Sequence, residues 1–102
     1  MPPAERAAMH VGVCILHLHL PGLGSLKAKR QVLRSIKDRL RGRFNVAVAE
    51  LDHQDLWQRA TLGVVSVASA HVPLERMLAS VRDEVERHLP GEILDCDMEF
   101  LA

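Results

Sequence analysis

The order in which two kinds of hydrophobic period follow each other constrains the fold of this chain more than any other feature. Alternating or Val-rich segments, which are typical of strands, cover residues 11–20, 44–48, 59–69 and 92–101. A helical period lies between the first and second of these segments, and again between the third and fourth. The sequence therefore predicts six elements in the order strand, helix, strand, strand, helix, strand.

Turn and capping residues place the ends of both helices. Ser25 suits the N-cap of the first helix, and Gly42 is expected to end it. Pro73 fits the first turn of the second helix, which Pro90 and Gly91 should stop. The predicted buried stripes are Leu26, Val32, Leu33, Ile36 and Leu40 on the first helix and Leu74, Leu78, Val81, Val85 and Leu89 on the second.

Right-handed crossovers fold this order into a four-stranded antiparallel sheet with both helices on one face. We therefore predict one α+β domain over residues 9–102, of the ferredoxin-like β-α-β-β-α-β type, preceded by a flexible tail at residues 1–8. Strands one and three are expected at the centre as parallel neighbours, with the last strand antiparallel to the first. The other sheet face stays open, and Val11, Val13 and Ile15 lie on it as a candidate contact surface.

Composition narrows the class of protein. The chain has 102 residues, 48% of them hydrophobic, so it can bury a core without disulfides or metal. No apolar run is long enough to span a membrane, and residues 1–8 lack a signal-peptide core. Cys14 and Cys96 are too far apart for a zinc-knuckle spacing, and we interpret them as buried free thiols rather than a bridge. We expect a cytoplasmic protein.

A formal net charge of zero conceals a dipolar chain. Residues 25–43 contain eight basic residues and one acidic residue, a net charge of +7. Residues 44–102 contain four basic and eleven acidic residues, a net charge of −7. The basic half coincides with the first predicted helix.

Five basic side chains on that helix follow each other at intervals of three and four residues. They fall on one narrow arc beside the apolar stripe, where each charge neighbours the next at a cost of about 0.2–0.5 kcal/mol per pair. This basic row consists of Lys27, Arg30, Arg34, Lys37 and Arg41.

Two interpretations of the basic row compete. In the first, the row contacts the phosphates of a nucleic acid, to which arginine forks are suited. In the second, it pairs internally with the acidic second helix, and Asp38 neutralises Arg34 and Arg41. The acids available on the second helix are Glu75, Asp83, Glu84 and Glu86.

The open sheet face argues against one common mode of RNA binding. RNA-recognition motifs of this topology stack bases on aromatic residues of their central strands. The only aromatic residues of this chain, Phe44, Trp57 and Phe100, are not placed there. RNA, if bound, must therefore meet a helix or a loop.

Two polar clusters could carry chemistry. His17 and His19 share a strand face, and Asp95 or Asp97 could add a third metal ligand, although histidine pairs on exposed strands are much more often unliganded. The predicted hairpin concentrates acids, a histidine and the only tryptophan of the chain. These residues could provide a general base, contact a partner, or do no more than form the turn. The hairpin candidates are Asp52, His53, Asp55, Trp57 and Arg59.

Three stretches together resemble the bacterial YlxP-like family. They are residues 25–30 (Ser-Leu-Lys-Ala-Lys-Arg), 43–46 (Arg-Phe-Asn-Val) and 52–59 (Asp-His-Gln-Asp-Leu-Trp-Gln-Arg). The resemblance implies a small ferredoxin-like domain whose genes lie among those for translation initiation and ribosome maturation. It brings no catalytic or cofactor residue. Ala28 departs from the acid expected there, which removes a capping box with Ser25.

We therefore hypothesise a non-enzymatic accessory protein, with no cofactor or resident metal, that binds structured RNA or the ribosome through the basic row. The partner would be ribosomal RNA or a ribosomal subunit. The alternative is a homo-oligomeric module, for example a homodimer, that binds a protein or small ligand through its loops or open sheet face. A metal-dependent enzyme using His17, His19 and Asp95, or the His53 cluster, is the third hypothesis.

Overall fold

Six elements follow each other in the predicted order in the computed structural model, which describes residues 8–53 and 56–101. The predicted tail at residues 1–8 lies outside the described residues except for Ala8. The elements are β1 (His10–His19), α1 (Leu26–Arg43), β2 (Ala47–Asp52), β3 (Arg59–Ala68), α2 (His71–His88) and β4 (Ile93–Leu101).

The four strands form one sheet in the order β2-β3-β1-β4, and every neighbouring pair is antiparallel. The predicted ferredoxin-like arrangement is thus confirmed, but the prediction that strands one and three are parallel is wrong. The crossover through α1 makes β2 parallel to β1. The hairpin then reverses the chain, so β3 must run opposite to β1.

Local capping explains where α1 and β2 begin and end. The Ser25 hydroxyl accepts a hydrogen bond from the Ala28 amide at 3.1 Å, which confirms Ser25 as the N-cap. The second strand begins at Ala47, later than predicted, because Phe44 packs against the core from the connection. It extends to Asp52, beyond the predicted end, and His53 turns the chain with a φ of 62°.

The core lies between the helices and one face of the sheet. Each buried leucine there stabilises the fold by roughly 1.5–3 kcal/mol. Gly12 marks the closest approach of α2, since an added Cβ would lie 2.8 Å from Leu78 Cδ1. The fully buried apolar residues include Leu16, Leu18, Leu33, Leu40, Leu62, Val64, Leu74, Leu78, Val81 and Val85.

Both cysteines are free thiols, and their Sγ atoms lie 3.3 Å apart on the core side of β1 and β4. Burial, helped by the hydrogen bond with Cys96, raises the pKa of the Cys14 thiol to about 12. Cys14 is therefore protonated at neutral pH and is not poised as a nucleophile.

The opposite face of the sheet is uncovered within the described chain, as predicted. Val65, Val67 and Leu51 are large apolar residues exposed on it. Leu94 of β4 is 54% exposed. The β1–β4 register shifts between His17 and Leu18, which changes the alternation of β4 at this end.

Candidate nucleic-acid interface

Helix α1 has two basic flanks separated by the stripe that packs on the sheet. Leu33, Ile36 and Leu40 are buried on this stripe. At 100° per residue the basic row lies to one side of the stripe, and Arg39 and Arg43 lie to the other. The two flanks have different surroundings.

The basic row lies on the flank beside the edge strand β2. Arg41 Nη2 donates a hydrogen bond to the Val48 carbonyl of β2 at 2.8 Å. Arg41 also makes the only ion pair of the row within residues 8–53 and 56–101, at 3.9 Å from Asp38. Lys27, Arg30 and Arg34 are exposed, and Lys37 is partly buried. The expected pair between Arg34 and Asp38 does not form among these residues.

The other flank faces α2 and meets a buried carboxylate there. Glu84 is 1% exposed, and its oxygens lie 3.6 Å from Arg39 Nη1 and 3.1 Å from Arg43 Nη1. Arg87 and His88 of α2 also contact it. The hydrogen bond from Arg87 lowers the pKa of Glu84, against the opposing effect of burial, and Arg43 lowers it further.

The acids of α2 are therefore paired with groups outside the basic row. Glu75 contacts His71 at 3.1 Å, and Asp83 contacts Arg82 at 3.2 Å. Glu86 Oε1 accepts a hydrogen bond from the Gly91 amide at 3.1 Å. Among the described residues, charge pairing between the helices uses Arg39 and Arg43 rather than the basic row.

Lys29, which is 1% exposed, is a buried charged residue of α1 that the sequence reasoning missed. Its Nζ donates to the carbonyls of His53 at 2.5 Å and Leu56 at 2.7 Å, and it pairs with Glu50 at 3.0 Å. Two of the three ammonium donors make hydrogen bonds to backbone carbonyls, and the contact with Glu50 is an ion pair. A lysine four residues before Leu33 on the apolar stripe is the one signal that could have revealed it.

Lys29 thereby fixes the hairpin that carries the other candidate residues. Asp52 Oδ1 accepts a hydrogen bond from the His53 amide at 2.8 Å, so it stabilises the turn. The Asp52 carboxylate lies 3.9 Å from His53 Nε2, too far for the hydrogen bond that a general base would need. Trp57 and Arg59 are exposed, and the predicted Asp55 lies outside the described residues.

The histidine pair of β1 has one acidic neighbour. His17 Nε2 lies 3.5 Å from Asp97 Oδ2, and His17 is paired in register with Asp95. His19 is exposed at the end of the strand. Within residues 8–53 and 56–101 no group of three His, Cys, Asp or Glu side chains is arranged to hold a metal ion.

The sheet separates basic and acidic edges of the molecule. The row borders β2 at one edge, as the bond between Arg41 and Val48 shows. Strand β4 is the opposite edge, where Asp95, Asp97 and Glu99 are exposed. A polyanion would therefore approach from the α1 and β2 side, away from β4. None of the helices in the described segments is long and apolar enough to cross a membrane.

Solved structures define the class of protein. A dimeric ferredoxin-like protein of unknown function from Thermobifida fusca matches with a TM-score of 0.56 at 11% identity, covering 100% of this chain and 98% of its own. The de novo designed protein Foldit4 matches with a TM-score of 0.57 at 10% identity, with coverage of 92% and 97%. At these identities the likeness concerns the fold alone, and the fold is ferredoxin-like.

Sequence comparison gives the family. Residues 11–98 match the family described as Protein of unknown function (DUF503), and the chain belongs to it. The uncharacterized protein YlxP of Bacillus subtilis (strain 168) is 45% identical over 58 residues, which cover 57% of this chain. The matched segment spans 63% of that relative's length. The predicted relationship to YlxP-like proteins is thus confirmed.

Proposed function

We propose that this protein is a non-enzymatic accessory protein that binds structured RNA through the basic row. One observation carries the proposal: Lys27, Arg30 and Arg34 are exposed and make no ion pair among the described residues. They lie on the flank of α1 towards β2, whereas the ion pairs between the helices are made on the other flank. These cationic side chains can therefore form ion pairs with an anionic partner.

The energetics of α1 favour an anionic partner. Like charges at intervals of three and four residues destabilise a helix by about 0.2–0.5 kcal/mol per pair. The five charges extend over 15 residues of helix, from Lys27 to Arg41, which is roughly 21 Å at the usual rise. Phosphates along a nucleic-acid backbone can relieve the repulsion at every position, and arginine binds them with paired donors.

Structured ribosomal RNA or a ribosomal subunit is the partner we infer. The YlxP-like resemblance implies a gene context of translation initiation and ribosome maturation. The described part of the open sheet face presents Val13, Val65 and Gly63 and no Phe, Tyr or Trp, so it lacks the stacking residues of an RNA-recognition motif. Contact between RNA phosphates and the basic row of α1 is consistent with both points.

A salt series tests the proposal directly. Titration of the protein against ribosomal subunits and structured ribosomal RNA should give saturable binding whose log affinity falls linearly with log salt. Counterion release at a five-residue row predicts a slope of about −3 to −5. No binding at low salt would overturn the proposal.

A charge reversal identifies the surface. Arg34→Glu with Lys37→Glu should abolish binding and leave the unfolding transition in place. The matched control is Arg76→Glu with Arg82→Glu, which changes the net charge equally on the exposed face of α2. Equal loss of affinity in both double variants would indicate a general charge effect rather than a site on α1.

A homodimer formed through the open sheet face is the second candidate. Val65, Val67 and Leu51 are exposed there, and Val13 and Ile15 lie beside them on β1. Apolar surface of this kind on a sheet is typical of an interface. The dimeric state of the Thermobifida fusca protein shows that a ferredoxin-like chain can associate.

Sedimentation at micromolar concentration tests the dimer. We expect a dimer for the wild-type chain and a monomer for Val65→Glu. Gln31→Glu, which adds the same charge on the exposed side of α1, should remain dimeric. A wild-type chain that is strictly monomeric would contradict this candidate.

A further inference from the structure

Trp57 is not part of the core. It is 50% exposed and does not belong to the packed apolar cluster of the described chain. Its neighbour Leu56 is also about half exposed, and Leu56 and Trp57 line an open cleft of about 420 Å³ with Gln58 and Arg59. A large aromatic ring left in water is available for contact with a ligand.

The backbone on both sides of Trp57 is held in place. On one side the Leu56 carbonyl accepts a hydrogen bond from the buried Lys29 Nζ at 2.7 Å. On the other side the Gln58 carbonyl accepts from the Leu20 amide at 2.8 Å. Binding through Trp57 therefore avoids most of the entropy lost when a loop becomes ordered.

The same contacts place Trp57 at the N-terminal end of the basic row. Lys29 binds the hairpin and lies between Lys27 and Arg30 in the first turns of α1. At the far end of the row Arg41 is bonded to β2, the strand that leads into this hairpin. The hairpin that carries Trp57 is thus bonded to α1 at a residue that lies between Lys27 and Arg30 in sequence, and Arg59 lines the same cleft as Trp57.

We propose that Trp57 is a stacking platform for an unpaired nucleobase of the same RNA whose phosphates contact the basic row, an inference that rests on the proposed function. Base stacking on an aromatic ring tolerates any sequence, because every base has a π-face. The ligand is then an RNA duplex that adjoins unpaired nucleotides, such as a stem with a short overhang. Phosphates near the junction lie on Lys27 and Arg30.

Two labelled RNAs that differ only in the unpaired nucleotides test the inference. One is a blunt stem and the other is the same stem with a short single-stranded overhang. Fluorescence anisotropy should show tighter binding of the overhang RNA to the wild-type protein. Trp57→Ala should weaken overhang binding by about 5- to 150-fold and leave blunt-stem binding unchanged.

Matched variants separate stacking from simple apolar contact. Trp57→Phe should keep most of the preference for the overhang, whereas Leu56→Ala, which removes exposed apolar surface without an aromatic ring, should leave the preference intact. Because the chain has one Trp and no Tyr, its emission reports on Trp57 alone. The overhang RNA should quench this emission more than the blunt stem does.

The failures of the two proposals are distinguishable. Salt-dependent binding of both RNAs with equal affinity would overturn the stacking platform and leave RNA binding by the basic row intact. Absence of binding to either RNA would overturn both. An emission shift that follows protein concentration without RNA would assign Trp57 to a contact between copies of the chain and would overturn the platform.

Discussion

The two flanks of α1 carry the same types of side chain and differ in what lies opposite them. Arg39 and Arg43 face α2, where the buried Glu84 takes their charge. Arg30 and Arg34 lie on the flank towards β2 and have no ion pair within the described residues. The flank on which a basic residue of this helix lies therefore decides which partners it meets within the fold.

The contrast is sharper between two lysines that are two residues apart. Lys29 points inward and holds the hairpin through three acceptors, whereas Lys27 is exposed. The difference teaches that the inward and outward charges of α1 have separate roles. Substitutions can test that separation, beginning with the largest expected effect.

Lys29→Met should destabilise the fold most. It leaves the carbonyls of His53 and Leu56 and the Glu50 carboxylate without their shared donor, and breaking a buried pair costs about 3–5 kcal/mol. Urea unfolding measures the loss. The matched variant Lys27→Met should stay within about 0.5 kcal/mol of wild type. Equal free energies of unfolding for Lys29→Met and Lys27→Met would contradict the separate roles of the two lysines.

Glu84→Gln should give a smaller loss, because the cations around Glu84 are half exposed and can be hydrated. The pKa of Glu84 is lowered from its ordinary value of 4.5, so the charged form contributes stability above pH 4.5. That contribution is lost as the pH falls through the lower folded pKa. The cations facing it are Arg39, Arg43, Arg87 and His88.

Urea midpoints of the wild-type chain and Glu84→Gln between pH 7 and pH 3 check this prediction. The difference between the two should be largest near pH 7 and should shrink below pH 4.5. Glu86→Gln, an exposed control on the same helix, should show little difference at any pH. A gap between wild type and Glu84→Gln that does not change with pH would contradict the assigned role of the carboxylate.

Neutralising the basic row should have the smallest effect on stability. Arg30→Gln with Arg34→Gln relieves repulsion at i,i+4 and should leave the free energy of unfolding unchanged or raise it by up to about 0.5 kcal/mol. Arg39→Gln with Arg43→Gln removes the same charge from the other flank and should lower stability. If Arg30→Gln with Arg34→Gln destabilises the chain as much as Arg39→Gln with Arg43→Gln, the basic row serves to stabilise the fold.

Much of the fold could be predicted because its signals are local. The helical and strand periods placed all six elements, and Ser25 was correctly identified as the N-cap of α1. The direction of β3 relative to β1 was predicted wrongly, since it depends on how a crossover and a hairpin combine. The register shift between β1 and β4 at His17 and Leu18 was also beyond prediction, since it leaves no mark in either strand's own pattern.

The candidate site could be predicted only in part. The basic row was evident from spacing within one helix, but its two interpretations could not be separated by sequence. Whether the row pairs with α2 depended on which arginines Glu84 meets across the interface between α1 and α2. Lys29 was missed because a lysine near the start of a helix is ordinarily solvated, and its burial requires acceptors from a hairpin more than twenty residues away.

The sequence by itself determined the elements, their order, the composition of the core and the presence of a basic row on α1. Each of these follows from side chains that are neighbours along the chain. Only the tertiary structure decided which charges are used, because Glu84, Lys29 and Arg41 find their partners on other elements. Electrostatic interactions act through space between distant segments, so residues of the same type have different roles when they lie on different sides of one helix.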